Sequence, residues 1–220
     1  MKALILDFDG LILDTESTDF ESWCVVYHNH GVRLPREEWV KAIGTDGKAF
    51  DPIARLIELT GRALEADILR EARRRVRDTL VERLEPLPGV LAWLEEARRR
   101  RMRLAIASSS PRSWVEKHLE RAELRHHFAE LVTAEQVPRV KPDPALYERA
   151  LSVLGVRPDE ALAVEDSPHG VAAARAARLR CVAVPGPMTR GCDFAEANLL
   201  LGSLSERTLE DVLGELFAAV

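Results

Sequence analysis

Met1-Lys-Ala-Leu-Ile-Leu-Asp7-Phe-Asp9-Gly10 ends a short apolar run in two carboxylates, one residue apart and followed by glycine. The run Ala3–Leu6 has the length and character of a buried strand. Carboxylates at the carboxyl end of such a strand lie where open α/β sheets bind their ligands. In a catalytic reading Asp7 is a nucleophile, Asp9 a proton donor, and a metal ion manages the charge between them. Asp and Gly are also common turn residues, so this segment alone leaves a plain turn equally open. The choice depends on what the rest of the chain brings to the same edge.

Four further apolar runs read as buried strands: Leu104–Ala107, Ala161–Val164, Cys181–Val184 and Leu199–Leu201, with Leu131–Thr133 a weaker candidate. Between them Pro88–Arg101, Pro111–Ala122, Pro144–Leu154 and Pro168–Ala177 carry helical periodicity, each with proline near its start. Alternation of this kind predicts an α/β fold, a Rossmann-like parallel sheet covered by helices on both faces. Glu206–Ala219 is amphipathic and reads as a last helix capped by Ser205. One stretch breaks the alternation. Phe20–His30, Arg36–Ala42, Phe50–Thr60 and Leu64–Leu84 are helical in pattern with no convincing strand among them. The expected division is therefore a catalytic core of residues 1–14 and 86–220 and an inserted α-helical bundle of residues 15–85. An insertion directly after the first strand lies over that strand's carboxyl end and can act as a cap.

Bulk composition narrows the function classes. The 220 residues are 46% hydrophobic and 30% charged, with a formal net charge of −5. That balance is ordinary for a globular protein and argues against a primary nucleic-acid binder, which needs an excess of Lys and Arg. Arg70, Arg73, Arg74, Arg75 and Arg77, and then Arg98–Arg101 with Arg103, read as solvated helix faces. No apolar run approaches a membrane-spanning length, and the start of the chain lacks the pattern of a signal peptide. Cys24, Cys181 and Cys192 are few and unevenly spaced, which suggests reduced thiols. The expectation is a monomeric cytoplasmic protein with no nucleic-acid or membrane partner.

Four polar elements fall at strand ends: Asp7-Phe-Asp9-Gly10, Ser108-Ser109-Ser110, Lys141-Pro142 and Glu165-Asp166-Ser167. Each alone is a turn, a loop or a helix cap. Their order and position together suit phosphoryl transfer. An anionic nucleophile attacks a phosphate dianion only when positive charge screens both. Mg²⁺, which takes oxygen ligands and often pairs one or two carboxylates with substrate phosphate, supplies that charge from Asp7, Asp166 and the Asp9 carbonyl. Lys141 adds a second cation. Ser108, with Ser109 and Gly10 beside it, is placed to bind phosphoryl oxygens near a helix start. Asp9 protonates the leaving alcohol and then deprotonates the water that opens an aspartyl-phosphate at Asp7.

This set resembles the four-motif signature of the haloacid dehalogenase superfamily, along the whole chain and including a helical cap between the first two motifs. Asp-Gly-Leu-Ile-Leu-Asp-Thr-Glu and Glu-Asp-Ser-Pro-His-Gly look like the β-phosphoglucomutase-like branch of its phosphatases. The resemblance implies a Rossmann-like core, Mg²⁺ and an aspartyl-phosphate intermediate. By motif it makes Asp7 the nucleophile and Asp9 the acid/base. Ser108 and Lys141 become phosphate ligands, with Asp166 and Glu165 in the metal site. The dehalogenases that named the superfamily lack the second aspartate, so Asp9 favours phosphoryl chemistry. The mutases carry a cap histidine where this chain has Asp19, and a cap arginine where counting from Gly44 gives Gly47, with Lys48 adjacent. Lys48 offers a point charge without the arginine fork. The expected activity is hydrolysis of a small phosphorylated metabolite such as a sugar phosphate. A β-phosphoglucomutase-like mutase and a catalytically idle binding protein on the same scaffold are the rivals.

Overall fold

A computed structural model describes residues 1–45 and 50–217. Its centre is a six-stranded, all-parallel sheet: β1 (Ala3–Leu6), β2 (Arg103–Ala107), β3 (Glu130–Val132), β4 (Ala161–Glu165), β5 (Arg180–Ala183) and β6 (Leu199–Leu200). The strands lie in the order β3-β2-β1-β4-β5-β6. Leu6 pairs with Ile106 on one side and Val164 on the other, so β1, β2 and β4 end within one residue of each other. That register brings residues far apart in sequence to one edge.

The two sheet faces use different side chains. Leu4, Leu6, Leu104, Ile106, Leu162 and Val164 point to one side, under α5 (Val90–Arg99), α6 (Arg112–Arg121) and α9 (Leu209–Phe217). Ala3, Ile5, Ala105, Ala107, Ala161 and Ala163 point to the other, under α7 (Ala145–Leu154) and α8 (Pro168–Ala176). Alternation of large and small follows from the two-residue period of a strand. Burial on both faces explains why the strands read as continuous apolar runs.

Four helices separate β1 from α5: α1 (Thr15–Asn29), α2 (Arg36–Val40), α3 (Pro52–Thr60) and α4 (Ala66–Val81). They enclose a core of their own, with Trp23, Val26, Tyr27, Ile53, Leu56 and Leu69 buried in it. The first of them starts five residues before the Phe20 that periodicity suggested, because Asp14 caps it by accepting from the Ser17 N–H at 3.2 Å. Asp51 caps α3 in the same way, at 2.9 Å from the Ile53 N–H and 3.1 Å from that of Ala54. Lys48 and Gly47 lie outside the described residues.

Two expectations need correction. The final helix is not capped by Ser205, which sits in a 3₁₀ turn at Leu204–Glu206. Thr208 caps it instead, accepting from the Asp211 N–H at 3.1 Å and donating to Asp211 Oδ2 at 2.6 Å. The arginines of α4 are not one solvated face. Arg70, Arg74 and Arg75 pair with Asp67 and Glu71 on their own helix, whereas Arg73 and Arg77 turn inward. Among the described residues no helix is long and apolar enough to cross a membrane.

On α6, His118 is buried edge-on against Trp114, with ring centroids 4.1 Å apart, and neither ring nitrogen has a hydrogen-bond partner among the described residues. Burial, reinforced by the Lys117 and Arg121 charges, pushes the imidazole down to about 4. A histidine lowered in the fold leaves the unfolded chain binding more protons, so its contribution is intact above the ordinary imidazole value. It is lost as pH falls from there toward 4. Urea unfolding should therefore show the wild type losing about 2 kcal/mol more than His118→Phe between pH 7 and pH 5. Equal losses in the two proteins would contradict a buried neutral His118.

Candidate active site

Asp7 is the first residue past β1, Ser108 the first past β2, and Glu165 and Asp166 straddle the end of β4. Backbone bonds fix their height on the sheet: the Asp7 N–H donates to Val164 O at 3.0 Å, and the Ser108 N–H to Val132 O at 3.0 Å. Lys141 arrives from the loop before α7, ahead of a cis Lys141–Pro142 peptide bond. All four sequence elements therefore meet at one edge.

Lys141 is the hub. Its ammonium donates to Asp7 Oδ1 in a short contact and lies 2.6 Å from Glu165 Oε1. Lys141, Glu165 and Asp166 are each no more than 2% exposed. Burial disfavours the charged amine, but the Asp7 and Glu165 carboxylates outweigh it and hold Lys141 above its usual range. For Asp7 the balance goes the other way. Desolvation outweighs the Lys141 charge, and with Glu165 and Asp9 nearby its carboxyl is pushed up to about 7. Burial likewise raises Asp166 well above the carboxylate range, helped by Asp7, Glu16 and Glu165. One buried ammonium is thus asked to balance three buried carboxylates.

That imbalance suits a cation. Carboxylate oxygens of Asp7, Glu165 and Asp166 all lie within 4.8 Å of one another. The donors are all oxygens, the chemistry that hard divalent ions prefer. Glu165 is already engaged: Tyr147 donates its hydroxyl to Oε1 in a short contact, and Ser167 Oγ lies 3.4 Å from Oε2. Its neighbour Gly170 must be glycine, since a Cβ there would fall 1.8 Å from Glu165 Oε2. Gly10 is constrained twice. Its φ is +80°, and a Cβ would sit 2.2 Å from Asp166 Oδ2. The Gly10 N–H closes the turn onto Leu13 O at 2.8 Å rather than facing the cleft.

The Asp9 carboxylate is not among these clustered oxygens and is engaged by other donors, which leaves its main chain to serve a metal there. Its carboxylate collects four donors: Thr15 Oγ1 at 2.7 Å and Trp114 Nε1 at 2.8 Å on Oδ1, Ser110 Oγ at 2.6 Å and Ser108 Oγ at 3.4 Å on Oδ2. The three serines therefore divide. Ser108 and Ser110 attend Asp9, while Ser109 donates to Gly44 O at 3.1 Å, across to the helical insertion. His169 makes a second bridge, with Nδ1 2.9 Å from Ile43 O. The sequence had suggested neither Ser110 nor Trp114 as a site residue. Ser110 precedes α6 and Trp114 lies on its first turn, so the signal available was their place around the start of the helix that follows β2.

Between insertion and sheet edge lies a cleft of about 540 Å³, lined by Glu16, Asp19, Trp23, Trp39, Arg73 and Ser109 among others. Asp19 forms a short ion pair with Arg73, whose Nε also donates to Ser22 Oγ at 3.2 Å. Burial, despite Arg73, keeps Asp19 above the usual carboxylate range, and burial with Asp9 and Asp19 raises Glu16 well above it. An adjoining pocket opens onto Asp9, Arg77 and Trp114.

Comparison with known proteins agrees with this geometry. The family model described as haloacid dehalogenase-like hydrolase matches residues 4–184. The chain is 40% identical to YhcW of Bacillus subtilis, a protein described as an inferred phosphatase, over 98% of each chain. It is 34% identical to hexitol phosphatase B of Escherichia coli O157:H7 over 96% of each. A solved Thermotoga maritima structure, described as an inferred β-phosphoglucomutase, superimposes with a TM-score of 0.78 at 28% identity, over 99% of this chain and all of that one. The chain therefore belongs to the haloacid dehalogenase-like hydrolases, as an enzyme of phosphate esters related to the β-phosphoglucomutase-like phosphatases.

Proposed function

We propose that the protein is a Mg²⁺-dependent phosphatase that hydrolyses a small phosphorylated carbohydrate through a phosphoaspartate at Asp7. The observation that carries this reading is the division of labour between the two first-motif carboxylates. Asp7 sits in the buried cluster with Lys141, and Asp9 sits beside it in a separate nest of hydrogen-bond donors. The first arrangement suits a nucleophile, the second a group that moves protons.

In the proposed cycle an Asp7 carboxylate oxygen attacks phosphorus while Asp9 gives its proton to the departing alcohol. Water then attacks the phosphoaspartate, Asp9 takes the water's proton, and inorganic phosphate leaves. The Lys141 ammonium stays between Asp7 and Glu165 throughout, offsetting negative charge on nucleophile and transferring group. Glu165, already held by Tyr147, keeps that ammonium in place. With substrate bound, the Ser108 hydroxyl would turn from its long 3.4 Å contact with Asp9 Oδ2 to donate to a phosphoryl oxygen. Mg²⁺, held by Asp7 and Asp166 with the Asp9 carbonyl and Glu165 beside them, would supply the remaining positive charge that lets an anion approach an anion.

The cleft supports hydrolysis over mutase chemistry. A mutase must hold a bisphosphate in two orientations, and the cap position facing the site is Asp19, an acid tied to Arg73. An acid–guanidinium pair offers both acceptors and donors to sugar hydroxyls, which fits the substrate named for hexitol phosphatase B.

A phosphate-release screen over sugar, hexitol, nucleotide and short acid phosphates tests the proposal. Turnover should be greatest on the sugar or hexitol esters, stop on chelation of Mg²⁺, and fall at least about 10³-fold in Asp7→Asn, because an amide cannot attack phosphorus. Near-wild-type Asp7→Asn, or conversion of β-glucose 1-phosphate to its 6-phosphate without phosphate release, would overturn it.

A further inference from the structure

Trp114 makes a contact that the proposed cycle does not use. It lies on α6, three residues into the helix, and donates its indole N–H to Asp9 Oδ1 at 2.8 Å. One side of the ring meets the buried His118, edge-on with centroids 4.1 Å apart. Over its face lies the guanidinium of Arg77, 4.5 Å from the centroid, reaching down from α4 of the helical insertion. Arg77 is steadied in turn by Asp78 at 3.3 Å, and its side chain is only 21% exposed. The indole is therefore gripped from the core and from the cap while it holds Asp9.

Resting on the phosphatase reading, we propose that Trp114 is a positioning residue for Asp9, and that Arg77 completes its setting when the cap is in place. Of the four groups that donate to Asp9, three are hydroxyls, which rotate and can accept as well as donate. The indole N–H can only donate, and its ring cannot turn without breaking the edge contact with His118 and the cation contact with Arg77. Oδ1 is thereby fixed as an acceptor. Oδ2, whose partners are the Ser110 and Ser108 hydroxyls, is left as the oxygen that carries a proton to the leaving group. The geometry also ties proton delivery to the cap. Arg77 belongs to the insertion and Trp114 to the core, so the ring is held on both sides only while the two are docked.

The experiment separates positioning from packing by leaving group. Phenyl phosphate and p-nitrophenyl phosphate differ in how much proton donation the departing oxygen needs, and kcat/KM reports the step in which that oxygen departs. Trp114→Phe keeps an aromatic ring but loses the N–H. It should lower kcat/KM on phenyl phosphate by about tenfold, the scale of one lost hydrogen bond to a charged group, and change p-nitrophenyl phosphate by less than about twofold. Equal losses on both esters, or no loss on either, would overturn the assignment. Arg77→Met, with Arg77→Lys as the variant that keeps a cation over the ring, settles the matter if Trp114→Phe does not fold. A loss confined to phenyl phosphate in Arg77→Met and restored in Arg77→Lys supports the proposal, and uniform or absent effects contradict it. A wild type that releases phosphate from neither these esters nor any sugar or hexitol phosphate defeats the phosphatase reading itself, an outcome distinct from failure of the Trp114 assignment.

Discussion

A lysine ammonium buried between two carboxylates, Asp7–Lys141–Glu165, is the constraint around which the rest of the structure is arranged. Removing such charges from water is costly, and replacing them with apolar groups often leaves a fold as stable or more so. Their presence at the edge of a well-packed sheet therefore points to chemistry before stability. The sheet meets the constraint by register: Asp7 comes level with Glu165, and β2 delivers Ser108 one residue further along the same edge. Small residues meet it by leaving room, with Gly10 against Asp166 and Gly170 against Glu165. Thr189 closes the far side by donating to the Asp166 carbonyl at 2.7 Å. Even so, one ammonium does not balance Asp7, Glu165 and Asp166, which leaves a centre built to take a further cation.

The helical insertion packs as a second layer over the sheet edge. It has its own apolar core and meets the sheet edge through a few polar contacts: Ser109 to Gly44 O, His169 to Ile43 O, and Arg36 to Pro187 O at 2.9 Å. Sparse polar contacts of this kind suit a cover that admits and releases small molecules. The cleft beneath it carries the Asp19–Arg73 pair and an aromatic wall of Trp23 and Trp39. The buried charged cluster and the cleft's Asp19–Arg73 pair thus lie on different elements, and the Arg77–Trp114 contact is one place where insertion and sheet layer touch.

Much of this was legible before any coordinates. Apolar runs of four or five residues mark strands buried on both faces, and a polar residue just past each run marks the functional edge. Asp7, Ser108, Lys141, Glu165 and Asp166 could be grouped because parallel topology alone brings such positions together. Tyr147, Ser110 and Trp114 were harder, because a helical residue's partner depends on how the helix is rotated over the sheet. Arg73 and Arg77 hid in a run of arginines whose other members are ordinary surface ion pairs. Sequence order groups Ser109 and Gly10 with the phosphate-binding residues. The Ser109 hydroxyl is spent on the cap and the Gly10 N–H on its own turn, partners that sequence order does not reveal.

The most direct test of the account is to find the covalent intermediate. An acyl phosphate is reducible by borohydride whereas a free carboxylate is not, so quenching during turnover and then reducing marks the nucleophile. Peptide mapping should place the reduced residue at Asp7, only when substrate is present. Substrate-dependent labelling at Asp9 or elsewhere, or steady turnover with no labelled residue, would contradict a phosphoaspartate at Asp7.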